Sequence, residues 1–235
     1  MKNKLFYILL FIFVIARPIH SQYNGKNFSI SANYNYTTTS KLFLQPNTPD
    51  QLLKNIHEDL DNIYSISGEF RFHISESLII GAGTEYIQKD YINNNFNLAG
   101  VRAKVKDGYR IIPVELSLYY LLPFSTGLFK FFMGGGGGIY FAEHVRELGD
   151  VTVSDDGSEI GYGIHVAVGM DYIINDYISV RGQMRFRDPE IDLKSKYSNN
   201  IVNYEGRTFV FSSQTFYSKV NVDGITFSIG VAFNF

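Results

Sequence analysis

Apolar and polar residues alternate with a period of two along most of this chain. The alternation is clearest in eight segments of about ten residues, in which one set of positions is apolar or aromatic and the other is small, polar or charged. Successive side chains of a β-strand point to opposite faces, so the pattern predicts eight strands. The predicted strands are 27–37, 62–74, 78–87, 109–122, 131–141, 160–173, 178–187 and 224–235.

Segment 109–122 illustrates the pattern. Val114 and Leu116 belong to its apolar set, whereas Glu115 and Ser117 belong to its polar set. A soluble β-sandwich also alternates, but its strands are usually shorter, with about five or six residues. Longer segments with one continuous apolar face are typical of strands that cross a bilayer.

The connections between the predicted strands alternate between short and long. The short ones are 75–77, 123–130 and 175–177, and the long ones are 38–62, 90–108, 143–158 and 188–220. Short periplasmic turns opposite long external loops are typical of an outer-membrane barrel. Because every backbone polar group in lipid needs a partner, such a sheet must close on itself. The predicted fold is all-β, an eight-stranded antiparallel up-and-down transmembrane β-barrel with a lumen filled by side chains.

Two of the long connections contain further elements. In the first, Thr48-Pro49-Asp50-Gln51 offers an N-cap and a capping box, and the apolar residues that follow recur at helical spacing as far as Leu60. We interpret this as a short amphipathic helix that covers the barrel mouth; binding a partner or resting on the lipopolysaccharide surface are the alternatives. Connection 188–220 contains two strand-like stretches, so an extra hairpin and ten strands remain possible.

The N-terminus predicts export. Two lysines precede a run of 12 apolar residues, Leu5 to Ala16, which is too short to span a bilayer and has the length of a signal-peptide core. We place cleavage after Ser21; an uncleaved anchor helix is the alternative. The predicted organisation is a signal peptide, 1–21, followed by an outer-membrane β-barrel, 22–235.

Composition narrows the possible functions. The chain has 20 Phe, 17 Tyr and no Trp, an aromatic content that suits a surface at the boundary between water and lipid. Its net charge of −2 gives no indication of the basic surface that nucleic-acid binding needs. With no cysteine, it can form no disulfide, thiolate zinc site, lipoprotein anchor or cysteine nucleophile.

The signal peptide, the eight alternating strands and the terminal aromatic residues Phe233 and Phe235 together carry a resemblance. The chain resembles the small outer-membrane barrels of Gram-negative bacteria, which include the transmembrane domain of outer membrane protein A and the opacity-type barrels. The resemblance implies contact with outer-membrane lipid and lipopolysaccharide, and recognition of the terminal Phe by the barrel-assembly machinery. An even number of strands places both termini in the periplasm.

The run of five glycines, Gly134 to Gly138, has three possible explanations. A phosphate-binding loop would need Lys-Ser or Lys-Thr after the glycines, but Ile139-Tyr140-Phe141 follows. A flexible linker would have polar flanks, whereas these flanks are aromatic. We therefore predict a strand whose missing side chains let long lumen groups lie across the wall. Those groups are Glu115, Tyr119, His165 and Asp171 of the neighbouring strands. A locally bent strand and a ligand channel are the alternatives.

The polar positions of the predicted strands place four acids and four bases in the lumen. They are Glu69, Arg71, Glu85, Glu115, Asp171, Arg181, Arg185 and Arg187. Buried charges must be paired, so we predict a salt-bridge network that holds the barrel closed. A narrow channel for ions or small solutes is the alternative.

Catalytic chemistry has one weak candidate. His73 and Ser75 are two residues apart, which resembles lipid A deacylases that use a His, a Ser and a Glu on the lipid-facing wall. Alternation turns both residues to the lumen, and strand direction puts them near a periplasmic turn, whereas lipid A lies in the outer leaflet. We therefore predict no catalytic residue. No pair of histidines has metal-ligand spacing, so we predict no metal site and no cofactor.

The predicted function is therefore that of an integral outer-membrane barrel with a closed lumen. Its external loops would serve surface interaction with an extracellular ligand, or structural support. A narrow channel and an outer-membrane lipid-modifying enzyme are the two alternatives.

Overall fold

The computed structural model describes residues 26–211 and 213–235, which form an antiparallel β-barrel. The predicted signal peptide lies outside the described residues. None of the described residues forms a helix long and apolar enough to cross a membrane. The strands are β1 (Phe28–Phe43), β2 (His57–His73), β3 (Leu78–Leu98), β4 (Val101–Leu121), β5 (Phe129–Leu148), β6 (Val151–Asp155), β7 (Gly161–Ile173), β8 (Ile178–Arg187), β9 (Glu190–Tyr197), β10 (Ile201–Tyr204), β11 (Arg207–Val210), β12 (Thr215–Asn221) and β13 (Ile225–Asn234), and the helix is α1 (Gln51–Lys54).

Eight of these strands close a ring. Neighbours pair in the order β1-β2-β3-β4-β5-β7-β8-β13, and β13 pairs again with β1. Ile30 of β1, for example, lies opposite Phe70 of β2 on one side and Phe233 of β13 on the other. The pairing confirms the predicted antiparallel barrel, in which each of the eight predicted segments contributes one strand to this ring.

The structure has more than eight strand segments because the barrel wall is interrupted at three places. Residues 156–160 separate β6 from β7, residues 188–189 separate β8 from β9, and residues 222–224 separate β12 from β13. Beyond these breaks β5, β6, β9, β12 and β1 pair in turn. The hairpin expected within 188–220 is present as β10 and β11, but it forms a separate two-stranded sheet outside the ring.

The prediction of long loops at 90–108 and 143–158 was largely wrong. Strands β3 and β4 continue through the first and meet at a tight turn at Ala99 and Gly100, whose φ angles are +49° and +88°. Strands β5 and β6 meet in the second at Gly149, with φ +59°. The barrel wall therefore projects well beyond the eight predicted segments, and we call this part the projecting half.

The apolar face of the strands changes from the outside to the inside between the two halves of the barrel. Near the start of β4, Lys104 points outwards and is exposed while Val105 is buried inside. Further along the same strand, Leu116 points outwards and Glu115 is buried inside. An apolar outside suits hydrocarbon and a charged outside suits water, so each such strand crosses the membrane surface. In the projecting half the alternation persists in the opposite sense, with its apolar residues facing inwards.

The outward face of the other half forms a continuous apolar belt. It carries large, exposed hydrophobic side chains on all eight ring strands. Examples, one from each strand, are Ile30, Ile66, Ile80, Leu116, Met133, Ile164, Phe186 and Ile229. A surface of this extent is stable when its surroundings are lipid acyl chains.

Helix α1 does not cover the barrel mouth, so this interpretation was wrong. The helix has four residues and is capped by Asp50, which accepts a hydrogen bond from the Leu52 amide at 2.9 Å. Leu52 and Leu53 are exposed, Leu52 to 81%. The mouth is filled instead by an apolar cluster of the projecting half, which includes Leu98, Val105 and Leu148.

Candidate functional site

The lumen of the barrel holds its buried charged and polar side chains. Their arrangement depends first on the glycines of β5. These glycines lie opposite β4 in register, with Gly134 opposite Tyr119 and Gly138 opposite Glu115. A Cβ added to Gly138 would lie 2.8 Å from Glu115 Cγ, and one added to Gly134 would lie 2.7 Å from Tyr119 Cδ1. The missing side chains therefore leave the space in which Glu115 and Tyr119 lie across the wall, as predicted.

The other two groups expected above the glycines behave differently. His165 lies opposite Gly136, and its carbonyl oxygen would be 2.7 Å from a Cβ on Gly135. Asp171 lies opposite Lys130, beyond the glycine run, so its predicted position over the glycines was wrong. The difference follows from register, because each strand is displaced along its neighbour by an amount that the sequence does not display.

Four of the predicted charges form a first cluster near the periplasmic end. Glu69 accepts a hydrogen bond from Arg71 Nε at 2.9 Å, and Arg181 donates to Asp171 at 2.8 and 2.9 Å. Arg181 also approaches Glu69 to 3.3 Å, which joins the two pairs. All four side chains are buried. We call this set, Glu69, Arg71, Asp171 and Arg181, the lower charge cluster.

The other four predicted charges form a second cluster further out. Arg185 donates to Glu115 at 2.7 Å and Arg187 donates to Glu85 at 2.8 Å. Crossed contacts of 3.8 Å between Arg185 and Glu85 and of 3.6 Å between Arg187 and Glu115 complete a square. We call this set the upper charge cluster. Each cluster contains two acids and two bases, so each is formally neutral.

Uncharged groups that the sequence prediction did not assign to the network form further hydrogen bonds with the charged side chains. Tyr119 donates to Glu69 at 2.7 Å and Tyr140 donates to Glu115 at 2.6 Å. Ser65 donates to Glu85, and Gln183 accepts from Arg71 at 3.0 Å. Their inward positions in the alternation could have identified them. Lys130, predicted to lie in the turn 123–130, is also buried, at the start of β5.

Apolar layers enclose the charges on both sides. Below them lie Ile79, Leu121 and Phe132, and the Arg71 guanidinium stacks on Phe132 with 4.3 Å to the ring centroid. Above them lies a larger apolar cluster of residues contributed by seven strands. Its buried members are Leu42, Leu60, Ile63, Ile87, Tyr109, Ile111, Tyr140, Ile191, Leu193, Val220 and Val222.

One cavity between these layers is very small. This cavity, among Ser67, Glu69, Ser117 and Arg185, has a volume of about 10 Å³. A single water molecule needs about 10–15 Å³ of such volume. The cavity can therefore hold one water molecule at most, which is too little for a hydrated ion.

A third polar cluster lies inside the projecting half. Arg146 donates to Asp107 at 2.6 Å and to the Tyr197 hydroxyl at 3.0 Å. His144 contacts Asp107 through Nε2 and Ser218 Oγ through Nδ1, the latter at 2.6 Å. The sequence prediction had placed His144 in a loop, whereas it is a buried residue of β5.

This cluster contains the residue types of a hydrolytic triad, Ser, His and Asp, but lacks access. Ser218 and Asp107 have no exposed surface, because apolar clusters lie on both sides of them. Burial lowers the pKa of His144, and the positive charge of Arg146 lowers it further against the opposing effect of the Asp107 hydrogen bond. Burial raises the pKa of Asp107, but the His144 hydrogen bond and Arg146 outweigh it and the net pKa is lowered. The cluster links β4, β5 and β12 through buried hydrogen bonds.

His73 and Ser75, the candidate pair for lipid chemistry, serve the periplasmic turn. His73 is buried, with Nδ1 3.2 Å from the Asn27 carbonyl oxygen. Ser75 Oγ accepts hydrogen bonds from the amides of Ser77 and Leu78 at 3.3 and 3.1 Å. Among the described residues, no group of three His, Cys, Asp or Glu side chains could hold a metal ion.

The terminal aromatic residues close the barrel seam. The Phe28 amide donates to the Phe235 carbonyl at 3.0 Å, and the two rings stack with 5.9 Å between centroids. Phe233 stacks on Tyr177 at 6.3 Å and is 48% exposed on the apolar belt. Both terminal Phe side chains thus face the surroundings of the barrel.

Solved structures of outer-membrane proteins are similar to this chain, and two of them serve as examples. One is the outer membrane protein OprG from Pseudomonas aeruginosa, with a TM-score of 0.55 and 14% identity over 89% of this chain and 96% of that chain. The other is Neisserial surface protein A, with a TM-score of 0.50 and 13% identity over 88% of this chain and 97% of that chain. No protein-family model and no curated sequence matches the chain. At the level of the fold, these structures confirm the resemblance to small Gram-negative outer-membrane barrels.

Proposed function

We propose that the protein is an integral outer-membrane barrel that does not conduct, and that its projecting half serves surface interaction or structural support. The observation that carries this proposal is the layered lumen. Two neutral charge clusters are enclosed between apolar layers, and a cavity among the charged groups measures about 10 Å³. An ion that followed the lumen would have to shed its water in the apolar layers, which is energetically prohibitive.

The two charge clusters suit a role in closing the barrel. They join strands that are far apart around the ring: Arg185 of β8 reaches Glu115 of β4, and Arg187 of β8 reaches Glu85 of β3. Paired and hydrogen-bonded charges of this kind stabilise one packing, because removing a single partner would leave a buried charge uncompensated.

The projecting half suits contacts outside the cell. It has its own buried apolar clusters and a buried polar cluster, so its form is fixed by packing rather than left to loop conformations. Its outer surface carries charged side chains such as Arg102, Lys104 and Glu190. A rigid charged surface of this kind can present a constant pattern to an extracellular ligand, with lipopolysaccharide as its immediate surroundings. For insertion, we propose Phe233 and Phe235 as the signal for the barrel-assembly machinery.

Single-channel recording in planar lipid bilayers tests the closed lumen. The folded full-length mature protein should give no steady single-channel steps in 1 M KCl, because an ion would have to cross two apolar layers. A pore-forming barrel reconstituted in the same bilayers provides the positive control. Steady ohmic steps that scale with the amount of this protein would overturn the proposal in favour of the narrow channel.

The absence of enzymatic activity on lipid is a separate part of the proposal. It is supported by the burial of His73 and by the engagement of Ser75 in a turn. Mass spectra of lipid A from cells that express the protein should match those from cells that do not. A change in the acyl pattern that disappears in the His73→Ala variant would establish the enzyme instead.

A further inference from the structure

A cavity of about 320 Å³ opens on the outer wall of the barrel, away from the charge clusters. It lies between β5 and the segment that links β6 to β7. It is lined by Arg110, Ile112, Phe141, Ala142, Glu143, Asp155, Ser158, Glu159 and Ile160. The proposed function assigns no role to this place.

The cavity exists because the sheet is interrupted there. Strand β5 pairs with β7 as far as Tyr140 and with β6 from Glu147 onwards, so residues 141–146 have no strand partner on this side among the described residues. The chain between β6 and β7 is held away from β5 by β9. The Asp156 amide donates to the Lys194 carbonyl at 2.9 Å, and the Glu159 amide donates to the Asp192 carbonyl at 3.0 Å.

The cavity is blind, because the lumen behind it is filled. Ile191 and Leu193 of β9 and Tyr140 of β5 are buried directly behind the interruption. A Cβ on Gly161, where β7 begins, would overlap with Ile191. A molecule in the cavity could therefore not pass through the wall without displacing the apolar cluster.

The lining of the cavity has two zones. Ile112, Phe141 and Ile160 are exposed apolar side chains at the outer edge of the apolar belt. Arg110 and Glu143, one step further from the membrane on the same two strands, form an ion pair and begin the polar zone. A lining that changes from apolar to charged across the membrane surface matches an amphiphile, with its alkyl chain in the belt and its headgroup in water.

The polar zone has surplus negative charge. Of its three carboxylates, Glu143 is paired with Arg110 and Asp155 accepts hydrogen bonds from the amides of Gly157 and Ser158. Glu159 is exposed and forms no ion pair with any described residue. Lys194, next to the cavity, is paired with Asp156 at 3.3 Å. The lining itself has one guanidinium against three carboxylates, which favours a cationic headgroup and disfavours a phosphate or sulfate.

We propose that this cavity binds one amphiphile with an ammonium headgroup, Glu159 contacting the ammonium and Ile112, Phe141 and Ile160 contacting the alkyl chain. The site is specific for the sign of the headgroup because Glu159 is available to it. The ligand would come from the outer leaflet or from the external medium, since the polar zone lies on the water side of the belt.

A single tryptophan can report on the cavity, because the chain contains none. The Ile160→Trp variant, folded in nanodiscs of zwitterionic lipid, should show a saturable fluorescence change with dodecyltrimethylammonium below its micelle concentration. The control reporter is Tyr64→Trp, an exposed belt position on β2 at the opposite wall. It should show only the non-saturable change expected from partition of the probe into the bilayer.

Headgroup and charge variants then decide the proposal. In the Ile160→Trp background, Glu159→Gln should weaken dodecyltrimethylammonium binding about five-fold, as for loss of an exposed charge pair. Asp61→Asn, which removes an exposed carboxylate on the opposite wall, should leave it unchanged. Dodecyl maltoside and dodecyl sulfate should bind more weakly than the ammonium probe. Equal binding of the three probes, an unchanged affinity in Glu159→Gln, or a response that does not saturate would each overturn the proposal.

Discussion

At the scale of single residues, neighbouring glycines of one strand have opposite requirements. Gly136 faces the lumen side of β5, where an added Cβ would overlap with the Leu116 carbonyl oxygen and lie 2.8 Å from Ser117 Cα. A Cβ on the next residue, Gly137, would meet only the Gly163 carbonyl oxygen, at 3.4 Å. Composition alone marks the run as unusual, but only the register with β4 and β7 separates the glycines that are required from those that are not.

Gly136→Ala should therefore destabilise the barrel, whereas Gly137→Ala should not. Because backbone atoms of β4 cannot move away as a flexible side chain would, we expect overpacking to cost about 1–3 kcal/mol for Gly136→Ala. Urea unfolding in lipid vesicles, followed by the shift in gel mobility between folded and heat-unfolded barrel, measures the difference. If both alanine variants unfold at the same urea concentration, the close approach of β4 and β5 is not the reason for the glycines.

His144 gives the projecting half a specific pH dependence. Its pKa in the folded protein is lowered from the ordinary value of 6.5 by burial and by Arg146, so the folded state binds fewer protons than the unfolded chain between these pKa values. The stability contributed by neutral His144 is complete above about pH 6.5 and falls as the pH drops towards the lowered pKa. Thermal unfolding should occur at a lower temperature at pH 5.5 than at pH 7.

The variant His144→Gln identifies the residue responsible. A glutamine keeps a donor and an acceptor for Asp107 and Ser218 but does not titrate, so the loss of stability between pH 7 and pH 5.5 should become smaller. The exposed histidine His57 provides the matched control, and His57→Gln should retain the full loss. A pH dependence that is the same in wild type and His144→Gln would contradict the assignment.

At the scale of the strand, alternation predicts the part of each strand that lies in lipid and misses the rest. In lipid, an apolar outside and a polar inside give one clear pattern, as for Leu116 and Glu115 of β4. In the projecting half the sense is reversed: Ala103 and Val105 are buried and Lys104 faces water, which is the pattern of a soluble sheet and not of a lipid-facing one. The contact of Asp107, His144 and Ser218 could not be predicted from the sequence either. It joins three strands, and no local sequence pattern defines their register.

The eight lumen charges were identifiable as inward residues, but their partners were not. Alternation assigns Glu85, Glu115 and Arg187 to the inside of their strands. The pairing depends on how far each strand is displaced along its neighbour, and Arg187 of β8 meets Glu85 of β3 across the lumen, not along a sheet. Salt bridges between strands that are not neighbours therefore need the closed barrel.

A double-mutant cycle on Arg187 and Glu85 tests whether this pair acts as a unit. Arg187→Gln alone should cost about 3–5 kcal/mol, because it leaves Glu85 buried without its closest cation. The double variant Arg187→Gln with Glu85→Gln should recover much of that loss, since both charges are then absent. Urea unfolding in vesicles measures the four members of the cycle. Additive effects of the two substitutions would mean that the pair is not coupled.

At the scale of the whole molecule, the interior is a stack of layers. Apolar, charged, apolar, polar and apolar layers follow one another from the periplasmic end to the mouth. The membrane lies around the lower part of this stack only, so the medium outside determines which residues face outwards, whereas packing closes the inside throughout. A closed lumen and a water-exposed projecting half are therefore compatible in one barrel.

The direction of the barrel in the membrane can be measured, because the chain has no cysteine of its own. Lys104→Cys lies on the outward face of the projecting half and should react with a membrane-impermeant maleimide on intact cells. Thr126→Cys lies in a short turn and should react only after the outer membrane is permeabilised. Leu116→Cys faces the apolar belt and should stay unreactive in both states until the protein is unfolded, because a thiol in hydrocarbon does not ionise. Labelling of position 126 but not 104 on intact cells would reverse the orientation and place the projecting half in the periplasm.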